Sequence, residues 1–98
     1  MLFRSLAAVR RGAQVLAGWP QAFEAALDAA DAPRARHLAH ELKGLCSMMG
    51  EYTLAADAGA LEKPLLAGSA PADDCMDLVV RTAALARQLA RALDAMAT

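Results

Sequence analysis

The chain predicts an all-α fold, an up-down antiparallel four-helix bundle with a short additional N-terminal helix, occupying residues 1–98 as a single domain. Three observations carry this expectation. The 98 residues are enough for one hydrophobic core and too few for a nucleotide-binding enzyme with a separate substrate domain. Composition is 57% hydrophobic but only 4% aromatic, with 26 alanines, which suits close-packed helices better than a sheet rich in β-branched and aromatic residues. Helix-breaking residues recur at helix-length intervals, at Gly18 and Pro20, Asp31 and Pro33, Gly50, and the run "AGSAP" over residues 67–71.

Taken in order, the leading segment runs from about Leu2 to Ala17 and ends at Gly18. Arg4, Arg10 and Arg11 interrupt its apolar residues. That leaves neither a signal-peptide core nor the roughly 20 apolar residues of a membrane span. Because it lacks acids before Glu24, a mitochondrial transit sequence stands as the alternative to a bundle helix. The second segment, from about Pro20 to Ala30, carries Trp19, Phe23 and Leu27 at i, i+4, i+8 as an apolar stripe. Asp31 caps the third, Pro33 sits in its first turn where a missing N–H costs nothing, and Gly50 supplies a left-handed stop. The fourth starts near Glu51, and Pro64 is expected to end or kink it around Glu62 or Lys63. The last opens near Pro71, with Asp73 and Asp74 set against the positive end of its dipole. It lines up Leu78, Thr82, Leu85, Leu89, Leu93 and Met96 on one face, leaving Arg81, Arg87 and Arg91 as a solvated face.

Charge and cysteine usage remove several classes of function. A formal net charge of -1 and a pI near 6.0 leave no broad basic surface to neutralise a nucleic-acid backbone. Cys46 and Cys75 are far apart and form no C-x-x-C pair, so neither a disulfide framework nor a zinc knuckle is expected. A monomer in the reducing cytoplasm, with no nucleic-acid and no membrane partner, is the reading that follows. Walker A and kinase glycine-rich strings are absent, as is an evident Mg²⁺-binding carboxylate pair, so the chain is not expected to phosphorylate itself from ATP.

The stretch "ARHLAHELKGLCSMMGEY" over residues 35–52 holds both histidines. At about 100 degrees per residue, Ala35, Leu38, Leu42, Cys46 and Met49 fall within about 40 degrees of one another's mean direction and form the buried stripe. His40 lies about 160 degrees away, flanked by Arg36, Lys43, Gly44 and Ser47, so burying the leucines turns the imidazole to solvent. Gly44, one turn on, costs roughly 1 kcal/mol relative to alanine and opens a notch beside the ring. Lys43 can bring a compact cation to the same place, suited to a tetrahedral anion. An imidazole with an ordinary pKa of about 6.5 is largely neutral and nucleophilic at cytoplasmic pH. A carboxylate on one ring nitrogen would orient it, and Glu62 on the following helix is the candidate, with an ordinary surface glutamate as the alternative.

At these residues the chain resembles the histidine phosphotransfer (HPt) domain family of multistep two-component phosphorelays. The string "AHELKGLCSMMG" is similar to the family's H-x-L-K-G core followed by a glycine ten residues after the histidine, here Gly50, and then by a leucine-rich helix ending "ALEK". The resemblance covers about Arg34 to Lys63. It implies that His40 is the phosphorylated histidine, Lys43 the lysine beside it, Gly44 the small residue admitting the partner, and Leu42 the packing leucine. It further implies a phosphocarrier that takes phosphoryl from a receiver-domain aspartate and passes it to another. The partners would be a hybrid sensor histidine kinase and response-regulator receiver domains, with Mg²⁺ on the receiver and no cofactor of its own. Docking is expected on the exposed side of the third helix and part of the second, with Arg36, His37, Ser47 and Met48 as contacts. Leu45 departs from the small residue usual at its position, and Pro64 shortens a helix that usually continues.

Two other readings compete. His37, His40 and Glu41 make H-x-x-H-E on a helix, a spacing compatible with a metal-binding bundle, but Glu41 points about 100 degrees from His40 and no further donor converges. A non-catalytic helical-bundle interaction module would leave the cost of Gly44 unexplained.

Overall fold

The computed structural model describes residues 5–97. Four helices follow in order: α1, Leu6–Asp28; α2, Ala32–Met48; α3, Tyr52–Leu66; and α4, Ala72–Ala97. They pack antiparallel in a ring, α2 most extensively on α3, α1 on α4 and α2, and α3 least on α4. Leu16, Trp19, Phe23, Leu38, Leu42, Leu61 and Leu78 fill the centre.

The expected break between a short leading helix and a second helix does not occur. α1 runs through Gly18 and Pro20 without interruption, and the described residues contain no additional N-terminal helix; the start of the expected leading segment lies outside them. Proline inside a helix costs about 3 kcal/mol, through a lost hydrogen bond and a clash with the carbonyl one turn back. Burial offsets this. Val9, Gly12, Leu16, Trp19, Phe23 and Ala26 are all buried and share one face only if the helix is continuous. Trp19 and Phe23 stack at 4.5 Å between ring centroids, and the indole N–H of Trp19 donates to the Leu38 carbonyl at 2.8 Å. Leu27, expected on the buried stripe, is 37% exposed, because in the last turn Ala26 faces the core instead.

All three connections use the same device. The amides of Asp31, Glu51 and Ser69 donate to the carbonyls of Ala26, Cys46 and Pro64, at 2.9, 2.8 and 2.8 Å. Each bond closes a helix through a residue in the left-handed region: Ala30 (φ 53), Gly50 (φ 80) and Gly68 (φ 72). Gly50 thus ends α2 as expected, and the Asp31 side chain accepts from the Arg34 amide at 3.1 Å to begin it.

Pro64 does not end α3 at Glu62 or Lys63; the helix continues to Leu66. Leu61 and Leu65 are both buried, and one more helical turn is what brings Leu65 under Leu61. In α4, Leu78 and Thr82 are buried and Leu85 and Leu89 pack against the core, but Met96 is 68% exposed, since the end of this longest helix outruns the shorter α2 and α3. Arg81 is not a solvated residue. Its Nη1 donates to Asp57 Oδ2 at 2.6 Å and Asp77 Oδ2 at 2.9 Å, and the first of these bonds ties α4 to α3, the least packed of the contacting helix pairs. Those two carboxylates, Asp57 first, raise the Arg81 pKa further above its ordinary value. No helix of the described residues is long and apolar enough to cross a membrane.

Candidate functional site

α2 buries Ala35, Leu38, Ala39, Leu42 and Cys46, and that choice fixes the direction of everything else on the helix. Leu45 and Met49 are partly buried against the core. His40 is exposed, with 62% of its side chain open to solvent. The same orientation leaves His37, Lys43, Gly44 and Met48 exposed, with Arg36 and Ser47 half-buried.

One ring nitrogen of His40 is engaged. Nδ1 lies 2.9 Å from Glu62 Oε1 on α3. An ionised carboxylate only accepts, so Nδ1–H is the donor and the neutral ring keeps its lone pair on Nε2. Glu62 itself is only 16% exposed. Arg36, one turn before His40, approaches the same oxygen at 3.6 Å. The carboxylate is therefore held from two sides, by a charge and by the ring it orients. Pro64 does not disturb this, because Glu62 stands on helix that continues past it.

Gly44 stands one turn beyond His40, and a Cβ built there meets nothing within 4 Å. The fold has no need of glycine at this position, so its helix penalty of about 1 kcal/mol is not offset by packing within the chain. Gly59 is the opposite case. A Cβ there would come within 3.0 Å of Lys43 Cδ and 3.4 Å of its Cε, so the lysine stem lies directly across α3. In the sequence, Gly59 is marked only as an interior glycine in an otherwise regular helix. Ser47 turns back on its own helix, donating to the Lys43 carbonyl at 2.8 Å.

Arg36, Lys43, Gly59, Glu62 and Lys63 line a groove of about 730 Å³ between α2 and α3. Three cations against one carboxylate give this groove a net positive lining. The structure thus brings together His40, Glu62 and Arg36 by direct contact, and sets Lys43 in the adjoining groove. His37 and Met48 stand outside it. Among the described residues no group of three His, Cys, Asp or Glu side chains is placed to hold a metal ion.

The family model described as Hpt domain matches residues 21–98. No curated protein and no solved structure matches the chain.

Proposed function

The chain belongs to the Hpt domain family, whose members carry phosphoryl groups on histidine in phosphorelays and are not kinases, and from that premise we propose that His40 is its phosphoacceptor, exchanging phosphoryl with receiver-domain aspartates. The observation that carries the assignment is the pairing of an engaged Nδ1, 2.9 Å from Glu62, with a ring otherwise open to solvent. Nε2 attacks the phosphorus of an aspartyl phosphate. The N–P bond forms as the P–O bond to the aspartate breaks, and the carboxylate leaves with the electron pair. The ring keeps its proton on Nδ1 and becomes cationic, and the Glu62 carboxylate faces that new charge.

Lys43 supplies a cation for the phosphoryl oxygens, and Gly44 gives the partner's loop room beside the ring. Mg²⁺ belongs to the receiver. Docking uses the exposed side of α2 and the adjoining part of α1, with His37 and Met48 at its edge; the half-buried Arg36 and Ser47 are engaged within the chain and contribute less than their sequence positions suggest. We assign residues 1–98 to one domain acting as a cytoplasmic monomer between a hybrid sensor histidine kinase and a response regulator.

The test is to incubate the chain with a receiver domain phosphorylated on aspartate and to follow an acid-labile, base-stable phosphoryl group. His40→Gln is expected to abolish acceptance while the circular dichroism and melting of the bundle stay unchanged. Acceptance at the wild-type rate would overturn the assignment.

A further inference from the structure

α2 and α3 meet at two successive rungs. At the first, His40 faces Glu62. At the second, three residues further along α2 and three residues back along the antiparallel α3, Lys43 faces Gly59. The first rung is closed by a side chain from α3, and the second is left open by the lack of one. Into that opening lies the Lys43 stem, with Cδ, Cε and Cγ at 3.0, 3.4 and 3.7 Å from where a Cβ of residue 59 would stand.

We infer that Gly59 is a positioning residue for Lys43, a bare stretch of helix that seats the lysine stem and sets the place from which its ammonium meets the phosphoryl group on His40. The inference rests on the proposed roles of His40 and Lys43 and deepens them. Three physical points support it. A glycine inside a helix is disfavoured against alanine, and at this position, unlike Gly44, the chain itself supplies an occupant for the space. A lysine stem laid on apolar surface keeps its charged end in water while its methylenes are packed. Immobilising that stem before reaction removes part of the rotamer entropy that a free lysine would lose on gripping the phosphoryl oxygens. Contact distances decide how much substitution matters. Alanine forces the stem outward by a few tenths of an ångström, and a branched side chain evicts it.

The experiment is a double-mutant cycle read in transfer rate, with Gly59→Leu and Gly59→Ala each made in the wild-type chain and in Lys43→Ala. Gly59→Leu is expected to slow phosphoryl transfer from a phosphorylated receiver domain by about threefold to tenfold when Lys43 is present, and by less than about 1.5-fold when it is absent. Gly59→Ala asks the Lys43 stem to give by only a few tenths of an ångström and provides the milder version should the leucine variant fail to fold: a smaller slowing with Lys43, none without it. Nuclear Overhauser contacts between the Gly59 α-protons and the Lys43 methylenes are expected in the unmodified chain. Equal slowing in both backgrounds, no slowing in either, or absence of those contacts would overturn the seat. Loss of acceptance in His40→Gln together with no coupling between positions 59 and 43 rejects the seat and leaves the phosphoacceptor standing. Acceptance retained in His40→Gln rejects both.

Discussion

Removing the carboxylate of Glu62 separates orientation from charge in one residue. Glu62 Oε1 accepts from His40 Nδ1 at 2.9 Å, and on the proposed function transfer to Nε2 turns that ring into a cation. Two unit charges about 4 Å apart interact by about 1 kcal/mol in water and about 4 kcal/mol near a protein surface. The ring is 62% exposed, and the Arg36 guanidinium 3.6 Å from the same oxygen offsets part of the carboxylate's field. The low end therefore applies, about 1–2 kcal/mol, or about 5- to 30-fold in rate. Glu62→Ala loses both hydrogen bond and charge and is expected to slow transfer by that factor. Glu62→Gln keeps an acceptor oxygen for Nδ1–H and loses only the charge, so its rate should fall between the two. Rapid-quench measurement of phosphoryl transfer from a receiver domain reads the order wild type, Gln, Ala. Both variants should melt within a few degrees of the wild type, because a partly exposed pair contributes less than about 1 kcal/mol to folding. Glu62→Ala transferring within twofold of wild type, or Gln slower than Ala, would refute this account of the ring.

Gly44→Gln should stabilise the bundle by several tenths to about 1 kcal/mol, since a Cβ there meets nothing within 4 Å and helix propensity rises. Transfer should nevertheless fall by about tenfold or more as the side chain fills the partner's space; higher melting temperature with unchanged transfer would contradict the notch. Ala30 holds φ 53, a conformation that costs an L residue about 1–2 kcal/mol, so Ala30→Gly should raise stability by up to about 1 kcal/mol after the entropy of glycine is set against it. A lower denaturation midpoint would refute that strain. Burial, and secondarily the Glu51 carboxylate, push the Cys46 thiol up to about 11 despite the opposing charge of Arg81, and burial raises Cys75 as well. Buried and held neutral at pH 8, Cys46 should be labelled by a thiol-directed disulfide reagent only on unfolding. Rapid labelling of Cys46 in the native chain would count against its burial.

The middle of the chain was the most legible because local signals and packing agree there. Asp31, Pro33 and Gly50 delimit α2 by chemistry that acts within a few residues, and the helical period alone turns His40 outward once the leucines turn in. Pro20 and Pro64 fail to end their helices for one shared reason: a local breaker is outvoted when continuing the helix buries large side chains on the far side of it. Trp19 and Phe23 carry α1 through Pro20, and Leu65 carries α3 through Pro64. Neither outcome is visible in a window of ten residues. The pairing of Arg81 with Asp57 and the crossing of Lys43 over Gly59 depend on the register of α4 and α2 against α3. Register between helices is a property of the packed bundle, so a glycine at position 59 reads from sequence only as a weak point in a helix.

A carrier has to release what it accepts, and that requirement bears on how the site is built. Any group that stabilises phosphohistidine more than the transition state on either side of it makes the carrier a trap. On the proposed function, deep burial of the His40–Glu62 pair would strengthen the attraction between carboxylate and phosphorylated ring severalfold, and would also close the ring to a docking receiver domain. Here the carboxylate is sheltered while the ring is mostly open, and Arg36 shares the same oxygen, so the field on the ring is directional but moderate. Gly44 leaves the approach unobstructed, and the bundle holds all of this on two packed helices rather than a loop. On the proposed reading the chain therefore contributes orientation and a limited charge balance, and leaves the larger electrostatic stabilisation to whichever receiver is docked, which allows the same imidazole to serve in both directions.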